Sequence, residues 1–207
     1  MNNGSYRKKI GILGGTFNPI HIGHLTLAQN AMEYCALEKV LFVPSGCSYL
    51  KDPKEIASTE HRVRMTELAI KNNDRFELST VESDREGNSY TYETLEILNT
   101  EHPDTDFYFI VGADTFMFME NWMEPQRIFS ACKIICAKRD GMDSEELNEK
   151  AVHLKKKYNA DMIIMDIPEI DVSSSTVRRL LRSGISCRYY LDEDVRRYIS
   201  DNGLYKA

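Results

Sequence analysis

Hydrophobic and polar positions follow two regular patterns along this chain. Short runs rich in β-branched and apolar residues recur throughout. Most of them are solidly apolar, as expected of strands that are covered on both faces of a parallel sheet. Six strands are therefore predicted, at Lys9–Leu13, Lys39–Val43, Phe76–Val81, Asp106–Val111, Lys133–Ala137 and Asp161–Asp166.

Stretches with apolar residues at steps of three and four lie between these runs, which is typical of amphipathic helices. In the second stretch, Val63, Leu68 and Ala69 are predicted to form the apolar face. Gly184 and Gly203 follow the last two stretches as stop signals. The predicted helices are His21–Ala36, Thr59–Lys71, Tyr92–Glu101, Asp143–Tyr158, Ser175–Ser183 and Asp192–Asn202.

The alternation of strands and helices predicts an α/β fold, with a doubly wound, mostly parallel sheet and a small helical C-terminal piece. We expect a single domain over residues 1–207, with the α/β core at 8–166 and the C-terminal helices at 167–207. Ligands of such sheets bind outside the carboxyl ends of the strands, so the loops after the strands are where chemistry is expected.

Composition narrows the function classes. The 207 residues include 32 Asp and Glu against 26 Lys and Arg, a net charge of −6, which argues against a protein that binds duplex nucleic acid. No apolar run approaches the ~20 residues that span a bilayer, and the polar N-terminal segment lacks a signal-peptide core. Five scattered cysteines suggest free thiols in a reducing compartment. We therefore expect a cytoplasmic protein without nucleic-acid or membrane partners.

Two histidines, His21 and His24, follow a glycine pair that comes directly after the first predicted strand. Gly14 and Gly15 would let the backbone approach a phosphate closely, and a helix start offers unpaired N–H donors with about half a positive charge. Thr16 adds a hydroxyl donor. The segment therefore predicts a phosphate site, although two histidines on a core helix stay open as a structural alternative.

Other phosphate and metal motifs do not fit this segment. It lacks the Gly-Lys-Ser/Thr of a Walker loop, and its glycines have the wrong spacing for a dinucleotide fingerprint. A metal site would need a third ligand nearby. Gly23, between the histidines, leaves space in which a flat base or a ribose could lie.

A second candidate lies near the other end of the chain, where the hydroxyls of Ser173–Thr176 precede Arg178 at a predicted helix start. Helix-start amides, hydroxyls and a guanidinium together make an anion cradle. Taken alone, the same pattern also fits an ordinary N-cap serine before a surface helix.

These two segments resemble the two signatures of the nucleotidyltransferase superfamily. Gly14–Leu25 is similar to (T/S)-F-(D/N)-P-x-H-x-G-H, and Val172–Arg178 to I-S-S-T-x-I-R, with Ser175 where threonine is usual. Three further segments resemble the nicotinate-nucleotide adenylyltransferases within it. They are Glu60–Met65 for H-R-x-x-M, Ser89–Leu95 for S-Y-T-x-(D/E)-T-L, and Ile110–Asp114 with Trp122 for I-I-G-A-D…W.

The resemblance implies site residues. The implied catalytic residues are His21, His24, Lys51 and Arg178. The implied ATP contacts are Gly14, Gly15, Thr16, Phe17, His21, Gly23, His24, Gly112, Asp114, Ser173, Ser174, Ser175 and Arg178. The implied mononucleotide contacts are Thr16, Lys51, Tyr90, Thr91 and Trp122. Core packing of Trp122 and a helix-capping role of Asp114 remain open.

One loop departs from the family. Where the family usually has P-P-H-K, this chain has Ser48-Tyr49-Leu50-Lys51. The lysine is kept, but the role of the three residues before it is open.

The resemblance implies transfer of AMP from ATP to nicotinate mononucleotide, in NAD biosynthesis, with Mg²⁺ carried by the ATP phosphates rather than by a protein site. ATP and nicotinate mononucleotide are the implied partners. Alternatives are another acceptor (nicotinamide mononucleotide or phosphopantetheine) and a non-catalytic nucleotide-binding module. The sequence leaves the oligomeric state and the preference for acid or amide open.

Overall fold

A computed structural model describes residues 6–46, 56–138, 144–168 and 170–206 of this chain. Six strands lie within these ranges, and each overlaps a predicted one. They are β1 (Lys8–Gly15), β2 (Lys39–Pro44), β3 (Phe76–Leu78), β4 (Thr105–Gly112), β5 (Lys133–Lys138) and β6 (Met162–Asp166).

The same ranges contain eight α-helices, between and after the strands, and a short 3₁₀ helix at Met119–Asn121. Across the described ranges, no helix has the length and apolarity that crossing a bilayer requires. The helices are α1 (Ile22–Tyr34), α2 (Thr59–Ile70), α3 (Thr91–Glu101), α4 (Ala113–Phe118), α5 (Pro125–Ala131), α6 (Ser144–Tyr158), α7 (Ser174–Arg182) and α8 (Glu193–Asp201).

The strands form one sheet in the order β3-β2-β1-β4-β5-β6. β4 pairs in parallel with β1 and with β5, and β5 pairs in parallel with β6. The interior positions of β4 and β5 are almost all buried, which explains their solidly apolar sequence. The predicted doubly wound α/β fold is confirmed, and its strand order reverses next to β1, where such folds bind ligands.

One predicted strand end was wrong, and two helices were not predicted. β3 ends at Leu78 rather than Val81, because the chain then turns, with the Asp84 N–H donating to the Thr80 carbonyl (2.9 Å). Helices α4 and α5 were not predicted, since six and seven residues are too few to show a helical period. The predicted start of the fourth helix, Asp143, lies outside the described residues.

The internal contacts divide the chain into two compact units. The first contains Met1–Leu13, Asn30–Val40 and Tyr90–Glu169, and the second contains Gly14–Gln29, Leu41–Ser89 and Ile170–Ala207. Both signature segments, Gly14–Leu25 and Val172–Arg178, belong to the second unit. The expectation of a single domain stays a prediction.

In the first unit, Glu120 joins the 3₁₀ helix to α6. Its carboxylate accepts hydrogen bonds from Lys150 Nζ (2.6 Å), Lys157 Nζ (2.8 Å) and the Tyr158 hydroxyl (3.2 Å), and it lies 3.0 Å from His153 Nε2. The hydrogen bonds from Lys150 and Lys157 hold the pKa of Glu120 well below its usual range.

Glu120→Gln is expected to weaken the dependence of stability on acid pH. A carboxyl whose folded pKa is depressed stabilises the fold above its unfolded pKa, about 4.3, and this stabilisation is lost as the pH falls further. Urea unfolding between pH 7 and 3 measures the slope. Glu149→Gln, at an exposed position of α6, is the matched control. Equal slopes for the two variants would contradict the prediction.

Candidate active site

The glycine pair ends β1, which continues two residues beyond the predicted Leu13. Gly14 is exposed, whereas Gly15 lies against the ring of Phe17, where an added Cβ would be 2.9 Å from a ring carbon. Because Phe17 is 2% exposed and cannot move aside, a side chain at position 15 would force the loop to shift.

Phe17 is buried and packs against His24 rather than facing solvent. Its backbone has φ 47°, a left-handed conformation that is unusual for a bulky residue. The ring stands edge-on to His24, with centroids 5.0 Å apart, and also contacts Phe42. Since its side chain is buried, only its main chain could face a nucleotide.

His21 and His24 form a cap on α1. The His21 carbonyl accepts the His24 N–H (2.9 Å), while the His21 N–H donates to His24 Nδ1 (3.2 Å), and the ring centroids are 3.7 Å apart. His24 thereby takes the position that Glu or Gln takes in a capping box. Because Nδ1 accepts this bond, neutral His24 carries its proton on Nε2, which can donate to a phosphate oxygen.

Gly23 lies close to side chains of both signature segments, which leaves little space for a side chain of its own. An added Cβ would lie 3.0 Å from Val172 Cγ1 and 3.1 Å from His21 Nδ1. A side chain at position 23 would therefore require these neighbours to shift by a few tenths of an ångström. The expectation that Gly23 makes room for a base or ribose stays a prediction.

The serine stretch caps α7. Ser173 is the N-cap residue: its Oγ accepts the Thr176 N–H (3.1 Å) and lies 2.9 Å from Ser175 Oγ. Ser173 and Ser175 are exposed, so their hydroxyls are accessible to an anion at the start of α7.

The structure brings the two signature segments together. Arg178 Nη1 donates to the Asn18 carbonyl (2.9 Å), and Ser174 Oγ donates to the Pro19 carbonyl (2.9 Å). Within the described residues, Arg178 Nε is buried without a hydrogen-bond partner. The two signature segments are therefore in contact, and one edge of the guanidinium is fixed to the loop before α1.

Sequence reasoning missed the role of Arg62. This side chain is 2% exposed and its guanidinium bonds to three carbonyls from different loops: Thr16 (2.9 Å), Gly46 (3.0 Å) and Ala57 (3.1 Å). It also donates to Thr59 Oγ1 (2.9 Å). Arg62 therefore fixes the loops after β1 and β2 to the start of α2.

The predicted apolar face of α2 was wrong for the same reason. The helix buries Arg62, Met65, Thr66 and Ile70, while Val63, Leu68 and Ala69 are only half-buried. The buried positions follow steps of three and four, so the signal was present, but it was hidden by an arginine and a threonine on the buried face.

In the first unit, Gly112 ends β4 and is the N-cap residue of α4, and the exposed Asp114 lies in the first turn. Trp122 is half-buried and its ring stands edge-on to Phe109, with centroids 6.1 Å apart. Part of the Trp122 side chain therefore stays exposed to solvent. Asp114 lies in the first turn of α4, where the helix dipole favours a negative charge.

Tyr90 and Thr91 begin α3 in the same unit. Tyr90 is the N-cap residue, and its carbonyl accepts the Thr94 N–H (3.2 Å). Its ring stacks on Tyr92, which in turn contacts the Arg127 guanidinium (4.1 Å to the ring centroid). Lys51 and the departing residues Ser48, Tyr49 and Leu50 lie outside the described residues.

Comparison with known proteins agrees with these signatures. Residues 12–180 match the Cytidylyltransferase-like family. The chain is 42% identical over 198 residues to a probable nicotinate-nucleotide adenylyltransferase of Lachnoclostridium phytofermentans, covering 96% of this chain and 99% of that protein. It is 38% identical to one of Desulfitobacterium hafniense, covering all of both chains.

A solved structure shares the fold. The nicotinic acid mononucleotide adenylyltransferase of Plasmodium falciparum, complexed with NaAD, superposes with a TM-score of 0.79. The match covers 96% of this chain and 97% of that one, at 23% identity.

Proposed function

Because this chain belongs to the nicotinate-nucleotide adenylyltransferase family, we propose that it transfers AMP from ATP to nicotinate mononucleotide, giving deamido-NAD and pyrophosphate. One observation supports extending the proposal to named residues: Arg178 Nη1 donates to the Asn18 carbonyl, so the two superfamily signatures are in contact.

The chemistry needs no covalent intermediate on the protein. A 5′-phosphate with a second pKa near 6 is largely dianionic at neutral pH, so the acceptor supplies its own nucleophile. Its oxygen forms a bond to the α-phosphorus of ATP in line, and the bond to the pyrophosphate oxygen breaks. No proton has to be transferred to complete this exchange.

The protein therefore acts by positioning two anions and by stabilising the charge that develops on the phosphoryl oxygens. In this proposal, His24 Nε2–H and Arg178 donate to the phosphates of ATP. The serine hydroxyls and the amides at the start of α7 extend the cradle. His21, which is 6% exposed, supports His24 through its N–H and its ring.

The proposal includes a divalent cation, Mg²⁺, that enters with ATP. Among the described residues, no three His, Cys, Asp or Glu side chains are grouped as metal ligands. Mg²⁺ commonly binds through substrate phosphates with few protein ligands, and it would neutralise part of the triphosphate charge.

Pyrophosphate release tests the function. Nicotinate mononucleotide, nicotinamide mononucleotide and phosphopantetheine should be compared as acceptors at equal concentration, with ATP and Mg²⁺ present. We expect the highest kcat/KM for nicotinate mononucleotide. A higher value for another acceptor would contradict the proposed substrate, and ATP binding without pyrophosphate release would indicate a binding module.

Trp122 is proposed to stack on the pyridine ring of the acceptor. Trp122→Ala is expected to raise KM for nicotinate mononucleotide about 2- to 30-fold, because stacking of an aromatic on a cationic ring contributes roughly 0.5–2 kcal/mol. Trp122→Phe should retain part of the effect, and KM for ATP should stay within about twofold of its original value.

Fluorescence gives a second measurement, since Trp122 is the only tryptophan of the chain. Nicotinate mononucleotide should quench the emission of the unaltered protein. A selective rise of KM for ATP, with no quenching by the mononucleotide, would contradict the stacking role.

We further propose that the protein acts in the cytoplasm. Cys35, Cys132, Cys136 and Cys187 are free thiols, as is usual in a reducing compartment. ATP and nicotinate mononucleotide are the proposed partners, and the acidic charge of the chain disfavours nucleic acid.

A further inference from the structure

The segment after α8 bonds to the loop before α1. The Tyr205 hydroxyl lies 2.7 Å from Asn18 Oδ1, and the Ala57 N–H donates to the same oxygen (3.0 Å). On its other side, the Asn18 main-chain carbonyl accepts Arg178 Nη1 (2.9 Å). One buried asparagine thus links Tyr205 to the guanidinium of the candidate site.

The direction of these bonds is fixed by chemistry. A backbone N–H can only donate, so the Asn18 atom that faces Ala57 is the amide oxygen. Burial raises the pKa of Tyr205, so its hydroxyl keeps the proton at neutral pH and donates to this oxygen. The two donors leave the Asn18 side chain one orientation.

Tyr205 is itself held firmly. Its backbone is left-handed (φ 59°), a conformation that a bulky residue keeps only when its surroundings impose it. Gly203 and Leu204 donate to the Ser200 and Ile199 carbonyls at the end of α8. Helix α8 packs on α2, where Tyr198 OH lies 2.8 Å from His61 Nδ1.

We propose that Tyr205 is a positioning residue of the ATP site: its hydroxyl fixes Asn18, and the Asn18 carbonyl fixes Arg178 in the orientation that receives the triphosphate. This inference rests on the proposed function only in taking Arg178 as a phosphate ligand. It adds a contact from the segment after α8, which neither superfamily signature includes.

Calorimetric titration with MgATP, without acceptor, tests the proposal on the full chain. Tyr205→Phe keeps the ring and removes the hydroxyl, and its Kd is expected to rise about tenfold. Tyr198→Phe is the matched control, because it removes a bonded hydroxyl from α8 without touching Asn18, and its Kd should stay within about twofold.

Coupling distinguishes positioning from general loosening. In an Arg178→Ala background, Tyr205→Phe should raise the Kd no further, because the group that it positions is already absent. Asn18→Ala should reproduce the rise, and adding Tyr205→Phe to it should change nothing. Independent, multiplicative effects, or equal Kd values for Tyr205→Phe and Tyr198→Phe, would overturn the proposal.

The proposed function can fail separately. Wild-type protein that binds MgATP but releases no pyrophosphate with any acceptor would refute the transferase activity, while the titrations would still decide the role of Tyr205. Wild-type protein that does not bind MgATP would overturn both.

Discussion

His24→Ala is expected to lower kcat for pyrophosphate release at least about a hundredfold, without unfolding the protein. Removing one preorganised donor to a developing oxyanion typically costs about 2.7–4 kcal/mol of transition-state stabilisation. His24 meets the structural requirement for such a donor, because the bond from the His21 N–H to Nδ1 leaves the proton on Nε2.

Two variants make this prediction specific. His24→Gln retains an N–H near the position of Nε2 and should lose less activity than the alanine variant. His102→Ala, at an exposed position after α3, should keep kcat within about twofold. Near-wild-type turnover of His24→Ala, with an unchanged circular dichroism spectrum, would remove His24 from the mechanism.

Arg62→Ala is expected to lower the free energy of unfolding by at least about 3 kcal/mol. The substitution deprives three carbonyls and one hydroxyl of their donor, and each buried group left unsatisfied costs roughly 1–3 kcal/mol. The total cost is smaller than the sum of these terms where water can enter and bond to the exposed carbonyls. Urea unfolding monitored by Trp122 fluorescence measures the change.

The neighbouring arginine of α2 supplies the control. Arg64 is exposed and pairs with Glu67 one turn along the helix, so Arg64→Ala should change stability by less than about 1 kcal/mol. The stability of Arg62→Lys should lie between those of the unaltered protein and Arg62→Ala. A lysine ammonium group lacks the planar guanidinium that donates to three carbonyls at once. An Arg62→Ala variant as stable as Arg64→Ala would contradict the proposed stabilising role of Arg62.

The elements that the sequence predicted well are those with a strong local signal. The apolar runs of β4 and β5 are typical of buried strands, and both were predicted as strands. Gly184 and Gly203 were predicted as stop signals, and both adopt the left-handed conformation that ends α7 and α8. Helices α4 and α5 were missed because each is too short to show a period, although Pro125 at the start of α5 was a usable signal.

The individual residues of the candidate site could be predicted from the sequence, but the hydrogen bonds that join them could not. The histidines and the serine stretch could be singled out, since glycines, hydroxyls and a helix start are local features. The bond from Arg178 to Asn18 joins residues 160 positions apart, and that from Tyr205 spans 187. Such contacts depend on tertiary packing, and no local pattern encodes them.

Gly23 lies close to Val172, so the two signature segments also limit the size of each other's side chains. A methyl group added at position 23, or a bulkier residue at 172, would make a close steric contact with the other segment. In a chimera that takes its last third from a relative, a residue at 172 larger than valine is therefore expected to lower stability through its contact with Gly23.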